Sequence, residues 1–462
     1  MSNIKKNDLL TLDITDMNNL GAGIAHTQDG MTVFVTGAVI GDKVQSKVIK
    51  ITKNYLVCRL EEVIQPSDKR DPAPLCDAPA SCGGCCYRNL KYEHELEIKR
   101  DYVKSVFRKA GLPEVEVENT RTTGQTAGYR NKAQYPVRQT KNGIKAGFFA
   151  AKTHTLIPAD KCMLQPEIFS EIVAFTLDFA DKNGISAYDE ETCKGTLRHI
   201  YIREGKQTGE IMLCLVINAD KLPKAEIFAK ESTAKFPRIA SVMLNINKKN
   251  TNVILGDKFE RIGGRDYIVD RLCGLDFQIS AGSFYQVNHD AAELLYGLAA
   301  ERASLVGNEI LCDLYCGAGT IGLSMADKTK MLVGIEIVPE AIECAKKNAA
   351  INGIQNAHFF CGDASDTGGL LANAKKTLGD FTPDVVVIDP PRKGTTVELM
   401  DYLSNIGVNQ IVYVSCGPDT LARDCAYFKS LGYEIGVVTP VDLFPGTGHV
   451  ESVVCLKRRL DN

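Results

Sequence analysis

Two groups of residues in this sequence have side-chain types and spacings suited to covalent or ligand chemistry. In the C-terminal third, "VSCGP" places Cys416 directly after an apolar run, "DVVVIDPPRKG" places Asp389 at the end of another, and "GHVESVV" carries Glu451. A cysteine in such a position is a nucleophile or a small buried residue, and a loop glutamate is a general base or a solvated side chain. In the N-terminal third, Cys76, Cys82, Cys85 and Cys86 crowd into "CDAPASCGGCC". Their open roles are disulfides, metal ligands, a nucleophile or none.

The bulk of the chain narrows these choices. The first residues, "MSNIKKNDLLTLDITD", lack the apolar core of a signal peptide, and no later apolar run reaches the length of a membrane span. A cytoplasmic chain without a membrane partner is expected, so its 16 cysteines should be thiols or ligands and not disulfides.

Three units must position these groups. Residues 1–63 read as short alternating strands with glycine turns, a small β-barrel, followed by a polar, proline-rich linker from Glu62 to Pro74. Residues 70–270 read as an α+β domain, with an amphipathic helix over 91–111 placed to pack on the catalytic unit. Residues 271–462 alternate strand, glycine turn and helix, the pattern of a doubly wound, mainly parallel α/β sheet. There Gly317, Gly319 and Gly322 form G-x-G-x-x-G between a strand and an expected helix. The next strand ends in Glu336, placed for a ribose diol. This fits NAD, FAD or S-adenosylmethionine. Asp389 closes the following strand at the ligand edge. Arg392 stands where amine methyltransferases carry an aromatic residue, which argues against amine chemistry.

Net charge is -3, yet from Arg121 to His154 the cations Arg121, Arg130, Lys132, Arg138, Lys141, Lys145 and Lys152 occur without an acidic residue. Tyr129, Tyr135, Phe148 and Phe149 are interleaved with them. Cations with aromatics hold phosphates and stack bases, and a solvated sheet face is the plainer alternative. The barrel adds Lys43, Lys47, Lys50, Lys53 and Arg59.

In this order and spacing, "SFYQVN", "DLYCGAGT", "GIEIVPEAIE", "DPPRKG", "VSCGP" and "GHVE" resemble the RNA 5-methyluridine methyltransferase family, most closely its bacterial 23S ribosomal RNA branch. The resemblance implies a Rossmann-like class I methyltransferase domain, a TRAM-type, OB-like barrel and a monomeric, RNA-modifying enzyme. It implies Cys416 as nucleophile on carbon 6 of uracil and Glu451 as the base at carbon 5. Asp389 would bind the uracil edge beside the methyl donor, and Phe284 would stack on the base. Gln286, Tyr315, Glu336 and Asp363 would contact S-adenosylmethionine. Arg130 and Lys132 are the preferred phosphate contacts. Cys76, Cys82 and Cys85, with Cys162, match the ligands of a four-iron four-sulfur cluster; spacing alone would favour zinc. Cys86 matches no role. Gly417 departs from the asparagine usual after the nucleophile. Rival readings are a transfer-RNA uridine methyltransferase, a dinucleotide-dependent oxidoreductase and a structural-zinc RNA-binding protein. A cytosine-directed enzyme would need a second cysteine in a Pro-Cys turn, which "DPPRKG" lacks.

Overall fold

The computed structural model describes residues 4–74, 76–364, 366 and 369–459, so the outermost ends of the first and third expected units lie outside the described residues. Alternating residues of strands such as Lys43–Ile51 point inward, and six strands curl round a core of Val33, Val35, Val44, Val48, Leu56 and Cys58. The expected linker is not loose. The strand Tyr55–Gln65 runs into it, the Ser67 N–H donates to Asp42 at 2.9 Å, and Arg70 pairs with the same carboxylate at 2.5 Å.

The middle of the chain forms a seven-stranded sheet whose inner strands, Leu197–Glu204 and Ile211–Ile217, are buried along their whole length. Helices Glu167–Lys182 and Ala225–Lys235 cover one face. The other face shares a continuous core with the hairpin Tyr267–Leu272/Leu275–Ser280 and the helix His289–Ala303. Through that shared core the sheet packs on the C-terminal unit across a hydrophobic interface.

The C-terminal sheet has the order Ala357–Cys361, Met331–Glu336, Ile310–Leu314, Val385–Ile388, Gln410–Ser415, Glu451–Arg458, Tyr433–Ile435. The first five strands are parallel and Glu451–Arg458 is antiparallel to its neighbour. This is the doubly wound, Rossmann-like arrangement expected from the sequence. The helix expected after the glycine turn is a single turn, Thr320–Leu323, followed by a 3-10 turn at Ala326–Lys328. The helix Tyr92–Lys109 places Val103, Val106 and Phe107 in the same core as Leu399, Leu403, Leu421 and Phe428.

One side chain on that helix sits where a lysine is costly. Lys99 is 1% exposed, and its ammonium donates to Glu95 at 2.6 Å, Asp442 at 2.7 Å and the Phe444 carbonyl at 3.3 Å. Tyr92 donates to the other Asp442 oxygen at 2.9 Å, and the Gly446 N–H donates to Glu95 at 2.8 Å. The group thus pins residues 442–446 of the C-terminal unit onto an early helix. Removing the cation strands two buried carboxylates, so Lys99→Met is expected to destabilise by about 3–5 kcal/mol, read as a lower urea or thermal midpoint.

Candidate active site

Five parallel strands deliver their C-terminal ends to one edge, and the residues just beyond those ends line one cavity of about 820 Å³. Tyr315 follows Ile310–Leu314, Glu336 ends its strand, and Asp363 follows Ala357–Cys361. Asp389 follows Val385–Ile388 and Cys416 follows Gln410–Ser415. Glu451 opens the neighbouring antiparallel strand. Phe284 and Gln286 enter from the turn before helix His289–Ala303, and Arg130 from the middle domain. All nine line the same cavity. Lys132 does not line it; it is half-buried on the adjoining strand Lys132–Thr140. Phe284 is 68% exposed, an aromatic ring held out at the cavity mouth.

Electrostatics here run against ionisation. Burial, then the charge of Asp389, pushes the Glu451 carboxyl up to about 8. Burial pushes Asp389 up to about 7. The Cys416 thiol is pushed up to about 11, by burial first and then by Glu451 and Asp389. The Arg392 guanidinium opposes both the Cys416 and the Glu451 shifts. Cys416 is half-buried, and Gly417 caps the helix Pro418–Ser430, where a Cβ would stand 2.8 Å from the Thr420 hydroxyl. The departure from asparagine is therefore a close-packed position.

The end of the cavity beside the glycine turn is built on constrained backbone. Tyr315 has φ of 65°, a left-handed conformation that L residues adopt at a cost, and its hydroxyl lies 3.3 Å from that of Thr395. Glu336 accepts N–H bonds from Gly317 at 3.1 Å and Val338 at 3.0 Å, which fixes its carboxylate beside the glycine turn. A Cβ on Gly322 would meet the Asp313 carboxylate at 2.8 Å and Leu332 at 2.9 Å. That carboxylate accepts the Gly322 N–H at 2.8 Å. Asp313 was not singled out from the sequence, although a carboxylate inside the apolar run "ILCDL" is a signal of such a role. Burial pushes it up to about 7. Tyr296, Phe444 and His449, which also line the cavity, and the Arg392 cation were missed as parts of the site.

The other cysteines converge elsewhere. Cys76, Cys82, Cys85 and Cys162 line a second cavity of about 210 Å³, together with Arg130, Phe148 and Gly446. Among the described residues, no set of three or more Cys, His, Asp or Glu side chains is disposed as a ready-made metal shell. The thiols are close enough that Cys76, Cys82 and Cys162 all add to the upward push on Cys85, to about 12, that burial begins. Cys86 belongs to neither cavity, but its N–H donates to the Gly446 carbonyl at 2.9 Å.

The base-stacking role read for the interleaved aromatics needs correction. Tyr129 and Tyr135 are each 2% exposed, with hydroxyls donated to the Pro445 carbonyl and the Gln165 side chain. Phe148 packs against Tyr135 and Phe149 against His154. Tyr129 and Tyr135 are thus turned into the protein, while Phe148 and Phe149 are half-buried and already engaged by these neighbours. Arg138 pairs with Glu190 at 2.5 Å.

With this geometry in view, the likenesses are informative. The tRNA (Uracil-5-)-methyltransferase family profile matches residues 239–459, and the TRAM domain profile residues 5–60. Uncharacterized RNA methyltransferases of Halalkalibacterium halodurans and Clostridium acetobutylicum are each 40% identical to this chain, over 98% of both sequences. The crystal structure of Pyrococcus abyssi tRNA (uracil-54, C5)-methyltransferase with S-adenosyl-L-homocysteine is 28% identical. It covers 96% of this chain and 99% of its own, with a TM-score of 0.76. The chain belongs to the RNA uracil-5-methyltransferase family, enzymes dependent on S-adenosyl-L-methionine.

Proposed function

We propose that the protein methylates carbon 5 of a specific uridine in 23S ribosomal RNA, acting as a cytoplasmic monomer through a covalent Cys416 adduct. The reading is carried by the convergence of Cys416, Glu451, Asp389 and the exposed Phe284 ring on the cavity that Gln286, Tyr315, Glu336 and Asp363 also line. Those last four residues, with Asp389 beside them, would hold S-adenosylmethionine, which when bound supplies an electrophilic methyl group to carbon 5.

Carbon 5 of uracil is a poor nucleophile. The Cys416 thiolate adds to carbon 6, and the electron pair passes into the ring as an enolate that makes carbon 5 nucleophilic. Asp389 hydrogen-bonds the uracil edge and Phe284 stacks on the base after it leaves the RNA stack. Glu451 then removes the proton from carbon 5, and the returning electrons break the bond between carbon 6 and sulfur. A second reading, transfer RNA as substrate, is favoured by the likeness to the archaeal tRNA enzyme.

The thiol cavity enters no step of this reaction. We assign Cys76, Cys82, Cys85 and Cys162 to a four-iron four-sulfur cluster; four soft thiol donors around one cavity suit either that cluster or zinc. Anaerobically purified protein should be brown and hold about four irons per chain. A colourless protein with stoichiometric zinc would overturn the assignment.

Tritium release from RNA carrying uracil labelled at carbon 5 tests the chemistry, with 23S ribosomal RNA and tRNA transcripts compared. Cys416→Ala should abolish release and adduct. Glu451→Gln should slow release by about 10²–10⁴ and trap the adduct. Full activity in Cys416→Ala sinks the mechanism, and release confined to tRNA selects the second reading. Because both working groups are shifted up, the single-turnover rate should climb with pH through about 8. Arg392→Gln removes the cation that lowers both groups, so its ascending limb should lie at higher pH; an unmoved limb counts against Arg392 acting on them.

A further inference from the structure

Behind the turn that presents Phe284, positive charges gather, and among the described residues no carboxylate forms an ion pair with Arg130, Lys132 or Arg203. Strands Lys132–Thr140 and Leu197–Glu204 pair antiparallel, and Lys132 stands directly opposite Arg203. Like charges opposite one another destabilise a sheet, the more so where water is scarce. Arg203 is 1% exposed, and its two terminal nitrogens donate to the carbonyls of Ser280 at 2.8 Å and Ser283 at 2.9 Å. Its Nε is buried without a partner, as are the Nε of Arg130 and the Oδ1 of Asn131.

Among the described residues, the charges that act on Lys132 are both positive. Arg203 faces it from the adjacent strand and Arg130 from the approach to its own strand. Glu204, next along, is ion-paired with Arg238. The turn from Ser283 to Asn288 contains no charged residue. Burial, then Arg203 and Arg130, lowers the Lys132 ammonium to about 8.

We propose that Lys132, with Arg130 beside it and Arg203 supplying field from behind, is an anion subsite for one phosphodiester of RNA, adjoining Phe284. The inference deepens the RNA reading above and rests on it. Arg203 is too deep to touch the phosphate; it fixes the Ser280–Ser283 turn and keeps the region positive. Arg130 lines the cavity that holds Cys416, so the phosphate would flank the nucleotide whose base enters there. Because Lys132 is partly neutral in the free protein above pH 7, a phosphate draws a proton onto it. Affinity therefore falls as pH rises through about 8.

The test is equilibrium binding of a uridine-rich 12-mer oligoribonucleotide to full-length protein, with S-adenosylhomocysteine affinity as the control for folding. Lys132→Gln is expected to weaken oligomer binding about tenfold and to flatten the log–log salt slope by about 0.7. Lys132→Arg should keep affinity at pH 7 and show a shallower decline between pH 7 and 9 than wild type, since guanidinium stays charged. Proton uptake on binding, from calorimetry in two buffers, should be smaller in Lys132→Arg than in wild type. The subsite is overturned if wild type does not bind the oligomer, if Lys132→Gln binds like wild type, or if Lys132→Arg keeps the wild-type pH dependence. It is also overturned if millimolar inorganic phosphate displaces no oligomer from wild type. None of these readouts requires turnover, so failure of methylation and failure of the subsite are separately visible.

Discussion

The constraint on which the site depends is the buried ammonium of Lys99. Between strands Thr439–Val441 and Glu451–Arg458 the chain has no regular structure of its own, yet it supplies Phe444 and His449 to the cavity and leads into Glu451. Its conformation is imposed from outside. Lys99 and Tyr92 hold Asp442, Asn288 donates to the Leu443 carbonyl, and Tyr129 to that of Pro445. Glu95 takes the Gly446 N–H, while Cys86 and Tyr87 donate to its carbonyl. A lysine buried among carboxylates is weak evidence of net stability, but the arrangement permits few alternatives. The segment can satisfy its polar groups in one place, and that place aims Glu451 at the cavity.

The electrostatics of the reacting groups follow from the same enclosure. Glu451 and Asp389 raise the cost of charge on Cys416, and Asp389 raises it on Glu451, in a site that burial already makes hostile to anions. Charge on one of these groups is therefore felt at the next. In the proposed reaction this favours alternation. Negative charge leaves sulfur for the uracil ring when the adduct forms, which lowers the penalty on ionising Glu451 in time for the proton transfer. Arg392 moderates both ends of that exchange without belonging to either.

Much of this was legible in order along the chain. Apolar runs ending in Asp389, Cys416 and Glu336 had to be strands, and a parallel sheet gathers such ends on one edge, so the site could be assembled without distances. Side-chain environments set by long-range packing were not legible. Tyr129 and Tyr135 looked like stacking platforms because their covered faces come from helices and loops distant in sequence. Lys99 sits in a stretch of alternating charges that reads as a solvent face; its partner Asp442 is 343 residues away. The opposition of Lys132 and Arg203 depends on a strand register that no local pattern encodes.

The N-terminal barrel meets this centre through contacts that tolerate no side chain. A Cβ on Gly448 would stand 1.6 Å from the Asn19 carbonyl oxygen, and one on Gly21 would stand 2.4 Å from that of Cys86. Tyr87 donates to the Asn18 carbonyl at 3.0 Å, and Met17 and Val39 share a small core with Tyr87 and Leu90. A module on a loose tether raises the local concentration of its ligand but leaves the angle of approach free. Here the barrel is seated on the loop that carries His449, so close packing fixes its orientation relative to the cavity.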